Sequence, residues 1–320
     1  MTAAVILFSI GLLCLIKGGD WFVDGAVNTA RRFAVPELLV GATVVSIGTT
    51  LPEVMVSATS ALEGHGEIAY GNAVGSVICN AALIAAVTIA VRPGRVDPKT
   101  LKTPVIFFFS AAGVYAAVAY TTGNFSRRVG VLLLGVFAAY MLTTVRQIRR
   151  AASAPAEGEA AAGPSLRRDL GLLAAGAVLI AVGARLLVDN GVLIARELGV
   201  PESVIALTFI ALGTSLPELV TALTALVKGH GSLSLGNVVG ANLLNLVLVC
   251  GASMTLAPFR LPQSAVLFGR NAALVLELPV MVLVMLLLTV PALKKGRLYR
   301  GQGILMLLVY GLFCAVQFTL

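Results

Sequence analysis

The sequence predicts an all-α integral membrane protein of ten transmembrane helices, laid out as two inverted five-helix repeats. Three observations predict it. The 320 residues are 58% hydrophobic and 12% charged, with a mean hydropathy of +0.96, whereas a soluble domain carries about 25% charged residues. Ten apolar stretches approach the ~20 residues that cross a bilayer. The segment from Val35 to Asn80 also recurs at a constant offset of 165 residues, with 18 of its 46 positions identical.

The first half holds spans near 3–25, 37–62, 67–91, 101–120 and 128–149. The first span lacks the short apolar region and small-residue cleavage site of a removable leader, so it reads as a retained helix. The second carries Gly48-Thr49-Thr50-Leu51-Pro52-Glu53, and the third carries Gly71, Asn72, Gly75 and Asn80. The fourth and fifth complete a first repeat over 1–148, with its repeated core at 35–91. A cytoplasmic linker is expected over 149–168, where Ala151–Pro164 is rich in Ala with Gly, Pro, Ser and Glu.

The second repeat, 169–320 with its core at 200–256, holds spans near 170–196, 202–227, 232–256, 265–290 and 301–319. The seventh repeats the motif as Gly213-Thr214-Ser215-Leu216-Pro217-Glu218, and the eighth repeats Gly236, Asn237, Gly240 and Asn245. Glu277 lies deep in the ninth without a repeat partner, since position 112 is Ala; an interhelical hydrogen bond or protonated burial is expected for it. Five spans per half is an odd number, so the second half enters the bilayer from the opposite side. Such inverted repeats place a site near the midplane, at the repeat interface.

Charge gives the orientation. With the N-terminus outside, one set of loops holds 16 basic residues, among them Arg31, Arg32, Arg92, Arg95, Lys228 and Arg297, and the opposite set holds five. The positive-inside rule then places both termini outside and the central loop in the cytoplasm, in a prokaryotic inner or plasma membrane. The net charge of +8 is thereby a topology signal toward membrane phosphates and not a nucleic-acid footprint. Cys14, Cys79, Cys250 and Cys314 all fall in apolar spans with no CxxC pattern, which reads as packing and not as a disulfide or zinc framework.

The repeated motif carries the chemistry. A carboxylate at membrane depth costs about 2.5–3.5 kcal/mol on insertion scales and is kept for function. Glu53 and Glu218, one per repeat, point to one cation site built from two halves. Pro52 and Pro217 sit mid-span, so each helix is expected to break there, with Thr50 or Ser215 capping the new helix. Such a break frees main-chain carbonyls around Ser46–Thr49 and Ala211–Thr214, which is tolerable only beside a cavity or ion path. Carbonyls, hydroxyls and carboxylates are hard oxygen ligands that suit Ca²⁺. Asn72 and Asn80, like Asn237 and Asn245, lie eight apart and share a helix face to within about 80°. Gly71, Gly75, Gly236 and Gly240 are expected to form a small-residue seam pressing these amides against the broken helices.

These motifs, Gly-Thr-Thr/Ser-Leu-Pro-Glu followed by Gly-Asn-x-Val-Gly-Ser/Ala-x-x-x-Asn in two copies, resemble the α-repeats of the sodium/calcium exchanger family, within the cation/Ca²⁺ antiporter superfamily. The resemblance covers nearly the whole chain. It implies alternating-access exchange of Ca²⁺ against monovalent cations, with no cofactor and the first and sixth helices as sliding gates. Carried over by motif position, the first-half ligands would be the Ser46 main chain, Thr49, Thr50, Glu53, Ser76 and Asn80. The second-half ligands would be the Ala211 main chain, Thr214, Ser215, Glu218 and Asn245. Sodium-coupled members commonly have an aspartate where this chain has Asn245 and a serine where it has Ala241. The motif wording favours Na⁺ as counter-ion; the two amides leave an H⁺/Ca²⁺ antiporter on the same glutamates as the alternative. The partners implied are Ca²⁺, the counter-ion and the lipid bilayer. An intramembrane acid/base enzyme would need a nucleophile with an orienting base, which the motifs do not supply, and a channel would conduct without a counter-ion.

The remaining ionisable groups are expected to be structural. Asp24 and Asp189 belong to helix ends, Asp189 pairing with Arg185 four residues earlier. His65 and His230 sit in polar Gly-His-Gly turns, and Glu37 and Glu202 complement helix starts.

Overall fold

The computed structural model describes residues 2–152, 165–199, 213–263 and 265–319. Ten helices run through them: α1 Thr2–Arg32, α2 Glu37–Leu62, α3 Gly66–Val91, α4 Pro98–Thr121, α5 Arg127–Ala152, α6 Leu166–Glu197, α7 Leu216–Val227, α8 Gly231–Leu256, α9 Ala273–Lys295 and α10 Arg300–Gln317. Among the described residues, nine are long and apolar enough to cross a membrane, and α7 is the shorter tenth. The part of the seventh span from 202 to 212 lies outside the described residues. Local chemistry sets several ends. Asp97 accepts from the Lys99 and Thr100 amides at 3.0 and 3.3 Å ahead of Pro98, starting α4. Gly296, at φ 60°, closes α9 in the left-handed conformation that glycine adopts cheaply.

Two close helix contacts organise the bundle. Along α1, Gly11, Gly18 and Gly25 recur every seven residues and face α6, where Gly183 and Gly176 stand opposite the first two. A Cβ at Gly11 would lie 2.8 Å from the Leu187 amide nitrogen, and one at Gly25 would lie 2.7 Å from the Asp169 carbonyl. Backbones this near are the signature of small-residue packing in membranes. The pair is clamped at one end by Arg32, whose Nη2 lies 3.1 Å from the buried Asp169 carboxylate.

The second contact sets α8 beside α2. Gly236 packs on the Leu38 backbone, and a Cβ at Gly240 would lie 2.6 Å from the Ala42 Cα and 2.6 Å from the Ser46 Oγ. The glycine seam expected from the sequence therefore exists in the second copy. For Gly71 and Gly75, the residues that the same register would set opposite, 203 and 207, lie outside the described residues. Helix α8 is the most enclosed span, with 94% of its apolar window buried; it is the axis of the core.

Two sequence expectations change. The ninth span does not begin at 265. Val266–Leu267 and Arg270–Asn271 pair as a short hairpin, turned by Phe268 and Gly269 at φ 52° and 72°. Two positive φ values in a two-residue loop match the twist of a tight hairpin, so α9 starts at Ala273 and runs on to Lys295. The expected linker is also trimmed from both sides, by α5 reaching Ala152 and α6 starting at Leu166; residues 153–164 lie outside the described ones.

Candidate functional site: buried carboxyls between the repeated helices

The motif behaves differently in its two copies. In the second, the chain turns at Thr214 and Ser215 and α7 restarts at Leu216, with Pro217 in its first turn. In the first, the expected break is absent. A π-helical turn covers Gly41–Val45, and α-helix then continues from Ser46 through Pro52 to Leu62. Proline still removes a donor, so the Gly48 carbonyl lacks its helical partner. One missing bond is borne inside a protein-packed helix, where neighbours supply contacts that lipid cannot. The expected caps differ too. Thr50 lies inside the helix and donates to Glu218 Oε1 at 3.3 Å. Ser215 does occupy the N-cap of α7, but makes no capping bond, and its hydroxyl is buried without a partner.

Glu53 on α2 and Glu218 on α7 are both fully buried, and Thr50, one turn before Glu53, donates to Glu218 Oε1 at 3.3 Å. Among the described residues, both oxygens of Glu53 and Oε2 of Glu218 have no hydrogen-bond partner. Around them, Thr49 donates to Asn237 Oδ1 at 3.2 Å and approaches the Ser46 carbonyl at 3.4 Å. Asn72 donates to the Glu53 carbonyl at 3.2 Å and to Ser57 Oγ at 2.8 Å. Asn80 and Asn245 are fully buried, and among the described residues neither the oxygen nor the nitrogen of their side chains finds a partner. Each begins a π-helical turn, Asn80–Ala85 in α3 and Asn245–Val249 in α8, a distortion frequent at functional sites.

Of the residues expected from the motif, Ser46, Thr49, Thr50, Glu53, Ser76, Asn80, Ser215, Glu218 and Asn245 are all buried. Thr214 is half-buried in the turn, and Ala211 lies outside the described residues. Thr221, one turn beyond Glu218, adds a buried hydroxyl without a partner that the repeat did not flag, because its counterpart is Val56. Asn237 was visible only as one member of the repeated amide pair; its bond to Thr49 comes from α8 lying against α2. Among the described residues, no group of three or more His, Cys, Asp or Glu side chains is placed to hold a metal. Two carboxyls and neutral oxygens are what this centre offers.

A void of about 10 Å³ adjoins the centre. It is lined by Thr49, Pro52 and Pro217 on one side and by Phe22 of α1 and Ala177 and Ile180 of α6 on the other. That is about one water probe, so the α1–α6 pair abuts the carboxyl centre. Helix α1 is tied to the α7–α8 turn by Lys228, whose Nζ lies 2.8 Å from Asp24 and 3.2 Å from Asp20.

Other charged groups take structural roles. Asp189 pairs with Arg185 at 3.5 Å, and Gln317 donates to Glu277 at 2.9 Å as an interhelical bond. Glu37 does more than cap a helix: it meets His230 Nδ1 at 2.9 Å, which joins the start of α2 to the start of α8.

A multi-pass helical bundle that buries carboxyls, hydroxyls and amides between two sequence-related helix pairs defines a membrane ion transporter. The family model described as sodium/calcium exchanger protein matches residues 3–146 and 169–319. An uncharacterised membrane protein of Methanocaldococcus jannaschii is 36% identical over 303 residues, covering 95% of this chain and 94% of its own length. The inner membrane protein YrbG of Escherichia coli is 36% identical over 267 residues, 81% of each chain. The sodium-calcium exchanger NCX_Mj, in a structure from material soaked with Na⁺ and Ca²⁺, superposes with a TM-score of 0.82 at 34% identity, over 98% of both chains. The chain belongs to the sodium/calcium exchanger family, transporters and not enzymes, and its class of activity is cation/Ca²⁺ antiport.

Proposed function

We propose that this chain exchanges Ca²⁺ for Na⁺ by alternating access, with Glu53 and Glu218 as the pair that neutralises the divalent ion. The observation that carries the reading is the full burial of two carboxyls, one per repeat, on helices joined by the Thr50–Glu218 hydrogen bond. Three of their four oxygens lack a partner among the described residues. Buried polar atoms are normally satisfied, so this centre is built for cargo. Thr49, Thr50, Thr214, Ser215, Ser46, Ser76, Asn80, Asn245 and the Ala211 carbonyl are the proposed neutral ligands, which would bring the oxygen count toward the 6–8 of Ca²⁺. Two glutamates balance one Ca²⁺ or two Na⁺, so one site can serve both ions in turn. The α1–α6 pair, one helix from each of the halves 1–148 and 169–320, is the proposed sliding element, and the other eight helices are what it moves against. The basic loops argue for both termini outside, in the kind of membrane that gives YrbG its description.

The test is ⁴⁵Ca²⁺ uptake into proteoliposomes under an outward Na⁺ gradient alone and then under a pH gradient alone. Uptake driven by Na⁺ and not by pH is expected; the reverse result assigns protons to the site. A specific observation favours that second reading. Position 245 is an amide and position 241 a fully buried alanine, so the second copy offers one carboxylate and no hydroxyl there. Asn245→Asp is accordingly expected to raise the Na⁺ dependence of Ca²⁺ uptake, by about tenfold for one added charge-assisted contact. An unchanged Na⁺ titration would show that position 245 does not touch the monovalent ion.

A further inference from the structure

The two repeats part company at one place outside the carboxyl centre. Arg92-Pro93-Gly94-Arg95 follows α3, and Ala257-Pro258-Phe259-Arg260, 165 residues on, follows α8. The backbones match. Arg92 and Ala257 cap their helices at φ −133°, ψ 83° and φ −139°, ψ 101°. Val96 and Leu261 each donate to the carbonyl of a left-handed glycine, Gly296 at 2.9 Å and Gly123 at 2.8 Å.

The side chains do not match. After α8, Phe259 fills the corner against Gly66 at the start of α3, with its ring 5.5 Å from Phe125. After α3 that ring is replaced by Gly94, and the counterpart of Gly66 is Gly231. A Cβ at either glycine would have no atom within 4 Å. The space left is a cavity of about 220 Å³ between the 92–96 segment and the turn joining α7 to α8, roughly seven water volumes at ~30 Å³ each.

Three further exchanges at this corner run in one direction. Arg92 stands for Ala257, Ser234 for Ala69, and Ser232 for Glu67. Relative to its twin, the corner gains a guanidinium and two hydroxyls and loses a carboxylate. Its walls include Arg92 and Arg95 and no acidic residue. Arg92 reaches across it, donating from Nη1 to the Leu226 carbonyl at 3.2 Å, and the guanidinium has further N–H groups to offer. Ser234 is 3% exposed, lines the cavity, and its hydroxyl has no partner among the described residues. The first turn of α8, which carries no acidic residue and no side-chain cap, borders the same space; in α3 that turn holds Glu67.

We propose that this cavity is a binding site for a phosphate-type anion, either a lipid headgroup phosphate or free phosphate, held by Arg92, Arg95, Ser232 and Ser234. Guanidinium forks match phosphate oxygens in pairs, and the anion takes the place at the head of α8 that Glu67 fills at the head of α3. Helix ends converge here, as they do where a bilayer presents its headgroups.

The test uses the whole chain and the protein's own second-half residues. Arg92→Ala copies Ala257, Gly94→Phe copies Phe259, and Ser234→Ala copies Ala69. Detergent-solubilised protein is titrated with inorganic phosphate by calorimetry. Native mass spectra of protein released from nanodiscs containing phosphatidic acid and phosphatidylcholine count retained lipid. Saturable phosphate binding identifies a soluble anion. Retention of one phosphatidic acid per chain without saturable phosphate binding identifies a headgroup. In whichever arm binds, Arg92→Ala and Ser234→Ala are expected to weaken binding by about tenfold or more, the cost of a hydrogen bond to a charged group, and Gly94→Phe to abolish it. Ser234→Ala adds no bulk and keeps the test valid if Gly94→Phe does not fold. Binding in neither arm, or binding that Arg92→Ala and Ser234→Ala leave unchanged, overturns the proposal. Because the readout is occupancy and not flux, it stands apart from the identity of the transported ions.

Discussion

Glu53→Gln and Glu218→Gln are each expected to abolish ⁴⁵Ca²⁺ exchange in proteoliposomes while leaving a folded protein. Glutamine keeps the shape of the side chain and removes one negative charge from a centre that has two. Both glutamates are fully buried, so no solvent can replace what is lost. A divalent cation facing one carboxylate would carry an uncompensated positive charge into an apolar interior. Truncating one partner of a buried charge pair costs about 2–5 kcal/mol, roughly 30-fold to several thousand-fold in binding. Glu218 accepts from Thr50, whereas both Glu53 oxygens have no protein donor. Among the described residues, Glu53→Gln therefore breaks no side-chain hydrogen bond, and its effect reads on the ion. Near-normal exchange by either variant, with an unchanged melting curve, would remove the two glutamates from the transport site.

Much of this arrangement was legible because the repeat compares the chain with itself. A constant offset of 165 ties Glu53 to Glu218 and Asn80 to Asn245, and the structure buries all four. Even the paired π-helical turns begin at matched residues, although no local pattern announces them. What sequence reasoning missed depends on neighbours. Gly-Thr-Thr-Leu-Pro-Glu stays helical while Gly-Thr-Ser-Leu-Pro-Glu turns and restarts. Nearly identical motifs cannot decide that difference, but their packing can. Gly48 faces the Phe22 ring and Gly213 faces Val188, and the helix leading into the first motif has its backbone pressed by α8 at Leu38 and Ala42. In an inverted-repeat transporter the two halves must differ in conformation whenever the site is open to one side, so identity of sequence with difference of shape is the expected condition. The hairpin at Val266–Asn271 was lost for a simpler reason. Val266, Leu267 and Phe268 continue the apolar run of the helix that follows, and the turn is marked only by the positive φ of Phe268 and Gly269.

Gly240→Val is expected to damage stability and exchange together, because this glycine is where the core axis meets the carboxyl centre. A Cβ there would lie 2.6 Å from Ser46 Oγ and 2.6 and 2.8 Å from the Ala42 Cα and carbonyl carbon, and the two Ala42 atoms are backbone that cannot swing aside. Helix α8 would have to move away from α2. Overpacking of this kind costs about 1–3 kcal/mol where side chains can adjust, and a backbone contact leaves less room to adjust. The displacement would carry Asn237 away from Thr49, whose hydroxyl it accepts at 3.2 Å, and would shift Ser46 at the head of the same helical segment. Gly113→Ala is the control, since no atom lies within 4 Å of its Cβ position and the residue is exposed on α4. Thermal unfolding in detergent and ⁴⁵Ca²⁺ uptake should both fall for Gly240→Val and be unaltered for Gly113→Ala. If Gly240→Val melted as the parent does and still exchanged Ca²⁺, the α2–α8 seam would not be what sets the spacing of the two repeats around Glu53 and Glu218.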